Sequence, residues 1–162
     1  MLGRLNIEEL QARIGAEIHL SDWITVSQGD IDAFGRVTRD IDPMHMDPEH
    51  ARTHGPFGTT VLYGFQTLAM LTHLSRPVRV AAVDEAADYD LNYGLNRVRF
   101  IAPIPVDMPF RNRIVVKDLQ RREDGRYLLT TTNTIEVKGS DRPALVAEWI
   151  GLMARESAAP GR

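Results

Sequence analysis

Residues 63–74 read Tyr-Gly-Phe-Gln-Thr-Leu-Ala-Met-Leu-Thr-His-Leu, a stretch that is apolar on nearly all sides of a helix. A helix that is hydrophobic all round is normally buried inside its protein. Pattern and length therefore predict a long buried helix at the centre of the molecule, headed by Gly64.

Before this stretch, the sequence predicts three shorter helices and one strand. Ser27, with Asp30 three residues later, forms the pattern of a capping box and begins one of these helices. The β-favouring run at residues 18–26 predicts the strand. The helix that begins at Ser27 is expected to bury one face, made of Ile31, Phe34 and Val37.

After the central stretch, four segments with strand character follow in succession, at residues 89–101, 110–119, 126–137 and 145–154. Helices followed by consecutive strands predict an α+β fold. We expect one domain over residues 1–162, in which an antiparallel sheet wraps around the central helix. A single sheet leaves an edge strand to cover, which favours a homodimer.

The composition of the chain excludes some kinds of chemistry and gives no support to some kinds of partner. The chain has 162 residues, a formal net charge of −3 and no cysteine. This charge gives no reason to expect nucleic acid or an anionic membrane as a partner. Without cysteine there are no disulfides or thiolate nucleophiles. The first residues do not form a secretory signal, and no apolar run has membrane-spanning length, so we expect a cytoplasmic protein.

Residues 39–47 read Arg-Asp-Ile-Asp-Pro-Met-His-Met-Asp and hold the strongest candidate for catalysis. Pro43 disfavours a helix here and predicts a loop over residues 40–46. Such a loop can turn Asp40 and His45 into one cleft, where a carboxylate and an imidazole would suit general acid–base work on a water molecule. The alternative is that Asp40 caps the loop, with His45 as its hydrogen-bond partner.

Gly64 is the second candidate, because the first turn of a helix presents free N–H groups that can bind a developing oxyanion. The alternative reading of this glycine is close packing of the helix. His50 and His54 are spaced as metal ligands on a helix but lack a third partner, so no metal site is expected.

Three motifs carry a resemblance to a known family. Residues 40–45, Asp-Ile-Asp-Pro-Met-His, resemble the Asp-x-Asn-Pro-x-His motif of the MaoC-like (R)-specific enoyl-CoA hydratases. Residues 61–64, Val-Leu-Tyr-Gly, resemble the Ile-Ala-His-Gly that opens the central helix of that family. Residues 91–106 are similar to the Asn-Tyr-Gly-Leu-x-x-Val-Arg-Phe-x-x-Pro-Val-Pro-Val block of its NodN-like subgroup.

The resemblance implies a hot-dog fold and the reversible, (R)-specific addition of water to a trans-2-enoyl thioester. Asp40 and His45 would be the catalytic pair, and the N–H of Gly64 would bind the thioester oxygen. Coenzyme A or a carrier-protein pantetheine would be part of the acyl-thioester substrate, with no metal or redox cofactor. The implied substrate-binding residues are Asp42, Tyr63, Asn92 and Tyr93.

The sequence departs from the family motifs at three positions: Arg39 replaces a glycine, Asp42 an asparagine and Tyr63 a histidine. Two other functions stay open. A hot-dog acyl-CoA thioesterase would need a carboxylate on or near the central helix, and residues 63–74 contain none. A non-catalytic acyl-thioester-binding protein is the other alternative.

Overall fold

The computed structural model describes residues 6–76, 78 and 89–154. The elements are α1 (Ile7–Ala12), β1 (Glu17–Leu20), α2 (Gln28–Thr38), α3 (Pro43–Met46), α4 (Pro48–Thr53), α5 (Gly64–Ala69), α6 (Leu71–Leu74), β2 (Tyr89–Phe100), β3 (Phe110–Arg121), β4 (Tyr127–Val137) and β5 (Leu145–Ala154). The capping box predicted from Ser27 and Asp30 is present at the start of α2.

The five strands form one antiparallel sheet in the order β1-β3-β4-β5-β2. Alternate residues of β3 and β4 point to one face of the sheet, where α5 and α6 pack. That face carries the core, which includes Phe110, Ile135, Leu145, Leu71 and Leu74. The predicted α+β architecture is confirmed, and the twelve-residue β2 forms one edge of the sheet.

The central helix differs from its prediction in two respects. It is divided into α5 and α6 at Met70, which keeps right-handed helical angles, φ −65° and ψ −16°. It is also not buried on all sides, since Phe65 is 71% exposed whereas Leu71 and Leu74 are buried. Gln66 of α5 is buried and donates to the carbonyl of Asp30, so α5 packs against α2 as well as the sheet, while Phe65 has little cover among the described residues.

Three predictions for the residues before the central helix were wrong. Residues 43–46 form the short helix α3, because proline is tolerated at the first helical position, where its missing N–H has no intrahelical partner. The strand predicted at residues 18–26 ends at Leu20, and its pairing with β3 resumes only as an isolated bridge between Ile24 and Phe110. Val37, predicted to be buried, is 78% exposed.

The loop predicted at residues 76–88 lies outside the described residues except for positions 76 and 78, as does the predicted tail at residues 157–162. In the part of the chain that the structure describes, no helix is long and apolar enough to span a membrane.

Candidate active site

Residues 39–47, called the signature below, begin where α2 ends. Arg39 closes the helix in the left-handed conformation, with φ 61° and ψ 21°. The N–H of Asp40 then donates to the carbonyl of Gly35 at 3.0 Å. This turn leaves Asp40 exposed, and its carboxylate has no hydrogen-bond or ion-pair partner among the described residues. Asp40 is thus positioned through its backbone, and its side chain is free for chemistry.

The left-handed turn explains why the motif of the similar family has glycine at this position. A residue with a Cβ is strained there by roughly 1–2 kcal/mol, whereas glycine is not. We expect Arg39→Gly to raise the free energy of unfolding by about 0.5–1 kcal/mol in urea denaturation. Arg36→Gly, inside α2, is the matched control and should lower it by about 1 kcal/mol. Equal effects of the two changes would contradict the argument.

His45 lies on α3, whose first turn is capped by Asp42: the Asp42 Oδ1 accepts from the N–H of Met44 at 2.8 Å. The His45 Nδ1 lies 2.7 Å from the carbonyl oxygen of Val61. Because a carbonyl only accepts, Nδ1 must carry the hydrogen. In the neutral ring, Nε2 is then left with a lone pair, which can take a proton from a water molecule.

Tyr63 connects the two halves of the signature. Its hydroxyl donates to the backbone carbonyl of Asp40 at 2.6 Å, and its ring centroid lies 3.9 Å from that of His45. The side chain is only 3% exposed, and this burial raises the pKa of the phenol, which therefore stays a donor. Tyr63, which the resemblance implies to be a substrate-binding residue, thus connects Asp40 and His45 to the start of α5.

Gly64 is the first residue of α5, and Tyr63 before it makes no side-chain cap to the free N–H groups of that turn. A Cβ built on Gly64 would lie 3.1–3.3 Å from three atoms of the Phe100 ring. Close packing, the alternative reading of this glycine, is therefore real, and it coexists with an uncapped first turn. The first turn of α5 thus lies against Phe100, with its N–H groups left uncapped by the side chain of Tyr63.

Gln28 supports the signature from the first turn of α2. Its Nε2 donates to the carbonyl of His45 and to Asp32 Oδ1, both at 2.8 Å, and its Oε1 accepts from Thr60 Oγ1 at 2.6 Å. Sequence reasoning missed Gln28 and Thr60, because partners 17 and 32 residues apart leave no local signal. They fix the position of α3 against the chain that leads into α5.

Gly35 permits this close arrangement. A Cβ there would lie 2.4 Å from Tyr63 Oη and 2.6 Å from Met46 Sδ. We expect Gly35→Ala to lower the free energy of unfolding by about 1–3 kcal/mol, since overpacking outweighs the gain in helix propensity. Gly29→Ala, in the same helix and with its nearest neighbour 3.8 Å away, should not destabilise the fold. Urea denaturation measures the free energy of unfolding of both variants. A Gly35→Ala protein as stable as the parent would contradict the packing argument.

Asn92 and Tyr93 lie on β2, and the cavity that they line is bounded by α5 and α6 rather than by residues 39–47. They line a cavity of about 240 Å³ together with Leu68, Thr72 and Trp149. A register shift between Asn92 and Gly94 interrupts the strict alternation of the strand, so that both neighbours can face the same cavity. Leu68 and Thr72 follow Gly64 by one and two helical turns, or roughly 6 and 12 Å along the axis.

The rings of His50 and His54 stack with centroids 5.0 Å apart on the exposed side of α4. Within residues 6–76, 78 and 89–154, no group of three or more His, Cys, Asp or Glu side chains is arranged to hold a metal ion.

Comparison with known proteins links this geometry to a family. A family model described as "MaoC like domain" matches residues 9–138. Over 145 residues, 90% of this chain and 93% of the relative, the sequence is 39% identical to "3-hydroxyacyl-thioester dehydratase Z" of Mycobacterium tuberculosis. It is 36% identical over 149 residues to "Nodulation protein N" of Rhizobium leguminosarum bv. viciae, covering 92% of this chain and 91% of that protein.

Solved structures agree on the fold. The "Monoamine oxidase regulatory protein" from Archaeoglobus fulgius superposes with a TM-score of 0.78 at 22% identity, covering 96% of this chain and 98% of that chain. The "(R)-hydratase from A. caviae involved in PHA biosynthesis" gives a TM-score of 0.69 at 18% identity, with 87% and 96% covered. The hot-dog fold expected from the sequence is confirmed.

Proposed function

Because the chain belongs to the MaoC-like domain family, we propose that it catalyses the (R)-specific addition of water to trans-2-enoyl thioesters and the reverse dehydration of 3-hydroxyacyl thioesters. One observation supports the assignment most directly. Tyr63 contacts both Asp40 and His45 and immediately precedes Gly64. One buried residue therefore links the candidate acid–base pair to the candidate oxyanion donor, through its side chain on one side and through the backbone on the other.

In the hydration direction, water adds to C3 of the enoyl thioester and a proton is added to C2. We assign the activation of water and the delivery of that proton to Asp40 and to Nε2 of His45. Negative charge develops on the thioester oxygen as water adds. The N–H of Gly64, in the uncapped first turn of α5, is the proposed donor to that oxygen.

The direct test is incubation with crotonyl-CoA, or with the same acyl group on a carrier protein, while the absorbance of the enoyl thioester is followed. Loss of this band with no release of free thiol, and formation of the (R)-3-hydroxy product on chiral analysis, supports the proposal. Release of free thiol indicates a thioesterase instead. No reaction with short, medium and branched enoyl thioesters indicates a non-catalytic binding protein.

We also propose that the enzyme is a cytoplasmic homodimer that associates through β2. As an edge strand of twelve residues, β2 offers a long row of backbone groups for pairing with a second chain. Large exposed apolar side chains lie on this strand and on the neighbouring α5, a composition typical of a covered surface. They are Phe65, Leu91, Tyr93, Leu95 and Phe100.

Leu91, which is 46% exposed, provides the test of this interface. We expect the parent protein to be a dimer at micromolar concentration, and Leu91→Lys to shift it to monomer, because a lysine on an edge strand opposes strand pairing. Analytical ultracentrifugation measures the shift. Val37→Lys, at an exposed position on α2, is the control and should remain dimeric. A monomeric parent protein, or a dimeric Leu91→Lys, would contradict association through β2.

A further inference from the structure

A second cavity, of about 280 Å³, lies between the end of α6 and the inner face of the sheet. It shares Thr72, Asn92 and Trp149 with the cavity described above, so the two spaces are adjacent. If the thioester oxygen is bound at Gly64, as proposed, an acyl chain that follows the helix passes the first cavity before the second. Ser75, which lines the second cavity, lies roughly 16 Å along the helix axis from Gly64.

The second cavity contains an unpaired carboxyl group. Asp90 has no hydrogen-bond or ion-pair partner among the described residues; the residue as a whole is exposed, and partial burial of its carboxyl group raises the pKa. Its Oδ1 lies 2.8 Å from the position that a Cβ on Gly151 would occupy. The absence of a side chain at Gly151 thus gives the carboxyl group room on the neighbouring strand.

The same cavity contains a hydroxyl whose hydrogen is unused. Asn112, which is fully buried, donates through Nδ2 to Ser75 Oγ at 3.3 Å and to Asn133 Oδ1 at 2.9 Å. Since Ser75 Oγ already accepts from Asn112, the Ser75 O–H is available as a donor. Within the described residues no acceptor for it is present. Asn133 in turn donates to Thr131, so buried amides hold this polar surface in place.

We propose that the second cavity binds the far end of the acyl chain and selects enoyl thioesters that carry a terminal hydroxyl group. That hydroxyl accepts from Ser75 and donates to Asp90. A methyl end would displace water from both groups without replacing its hydrogen bonds, which disfavours it. A carboxylate end would be repelled by Asp90 but attracted by Arg76, which lines the same cavity, so the carboxylated analogue tests which charge dominates. This inference rests on the proposed function, and it adds the chemistry of the substrate's far end.

The test compares trans-2-dodecenoyl-CoA with its terminally hydroxylated analogue. For the parent protein, kcat/KM should be about tenfold higher for the hydroxylated chain, the scale of one net hydrogen bond. Ser75→Ala and Asp90→Ala should each bring the ratio of the two kcat/KM values towards one. Asp141→Ala, which removes an exposed carboxylate in the turn before β5, should leave the ratio unchanged.

Equal or lower kcat/KM for the hydroxylated chain, in a protein that hydrates dodecenoyl-CoA, would overturn the selection and leave the proposed function standing. A still higher value for the terminally carboxylated analogue would also overturn it. If no enoyl thioester is hydrated, the proposed function fails, and the cavity is judged by calorimetry with the saturated chains. Tighter binding of hydroxydodecanoyl-CoA than of dodecanoyl-CoA then supports the selection, and equal affinity overturns it.

Discussion

Asparagine in place of Asp40 is expected to lower kcat for enoyl-thioester hydration at least a hundredfold, the usual scale for a group that transfers protons in the transition state. The amide has nearly the shape of the carboxylate but cannot act as a base at neutral pH. KM should change little, since the change removes proton transfer rather than substrate contacts. Steady-state kinetics with crotonyl-CoA measures both constants.

The free energy of unfolding of Asp40→Asn distinguishes a catalytic role of this carboxylate from a structural one. Asp40 is held by its own N–H and carbonyl groups, through Gly35 and Tyr63, and both interactions remain in the asparagine variant. The free energy of unfolding should therefore stay within about 0.5 kcal/mol of the parent value. Asp141→Asn, an exposed acid-to-amide change elsewhere, serves as the control for kcat. A near-parent kcat for Asp40→Asn would mean that this carboxylate takes no part in proton transfer.

His45→Gln is expected to lower kcat by a similar factor, at least a hundredfold, because glutamine keeps a donor for the Val61 carbonyl but has no titratable nitrogen. The variant also loses the ring contact with Tyr63, which should reduce the free energy of unfolding by about 0.5–1.5 kcal/mol. Kinetics must therefore be measured at a temperature where the variant is fully folded. His54→Gln, at the exposed end of α4, is the matched control.

The double variant tests whether the two residues act together. If Asp40 and His45 handle one water molecule and one proton, removing both should lower kcat little more than the more severe single change. If the reduction in kcat of the double variant equals the product of the two single reductions, the two residues act independently. An activity loss in His45→Gln that disappears on cooling would indicate that the histidine only stabilises the structure around α3.

Local patterns predicted the elements that depend on neighbouring residues. The capping box of Ser27 with Asp30 spans three residues, so the sequence alone was sufficient to locate the start of α2. The motif of residues 40–45 was sufficient to select Asp40 and His45 as candidates. Pro43 was misread because its effect depends on whether it falls inside a helix or at its first position, where it is tolerated.

Interactions between distant residues were not predictable in this way. The hydrogen bond from Tyr63 to Asp40 joins residues 23 positions apart, and that from Gln28 to His45 joins residues 17 apart. Tyr63 replaces a histidine of the family motif, and only the structure places its hydroxyl on the backbone of the signature. Arg39 was likewise known from the sequence only as the replacement of a family glycine, whereas its φ of 61° shows that the position needs a left-handed backbone.

The backbone attachment of Asp40 has a consequence for how such a protein can evolve. Neither of the two hydrogen bonds that position this residue involves its side chain. If Asp40 transfers protons as proposed, a single substitution at position 40 would remove the activity while preserving the fold. A binding protein or an inactive subunit could then arise from this fold by one substitution, and the reverse substitution would restore the activity.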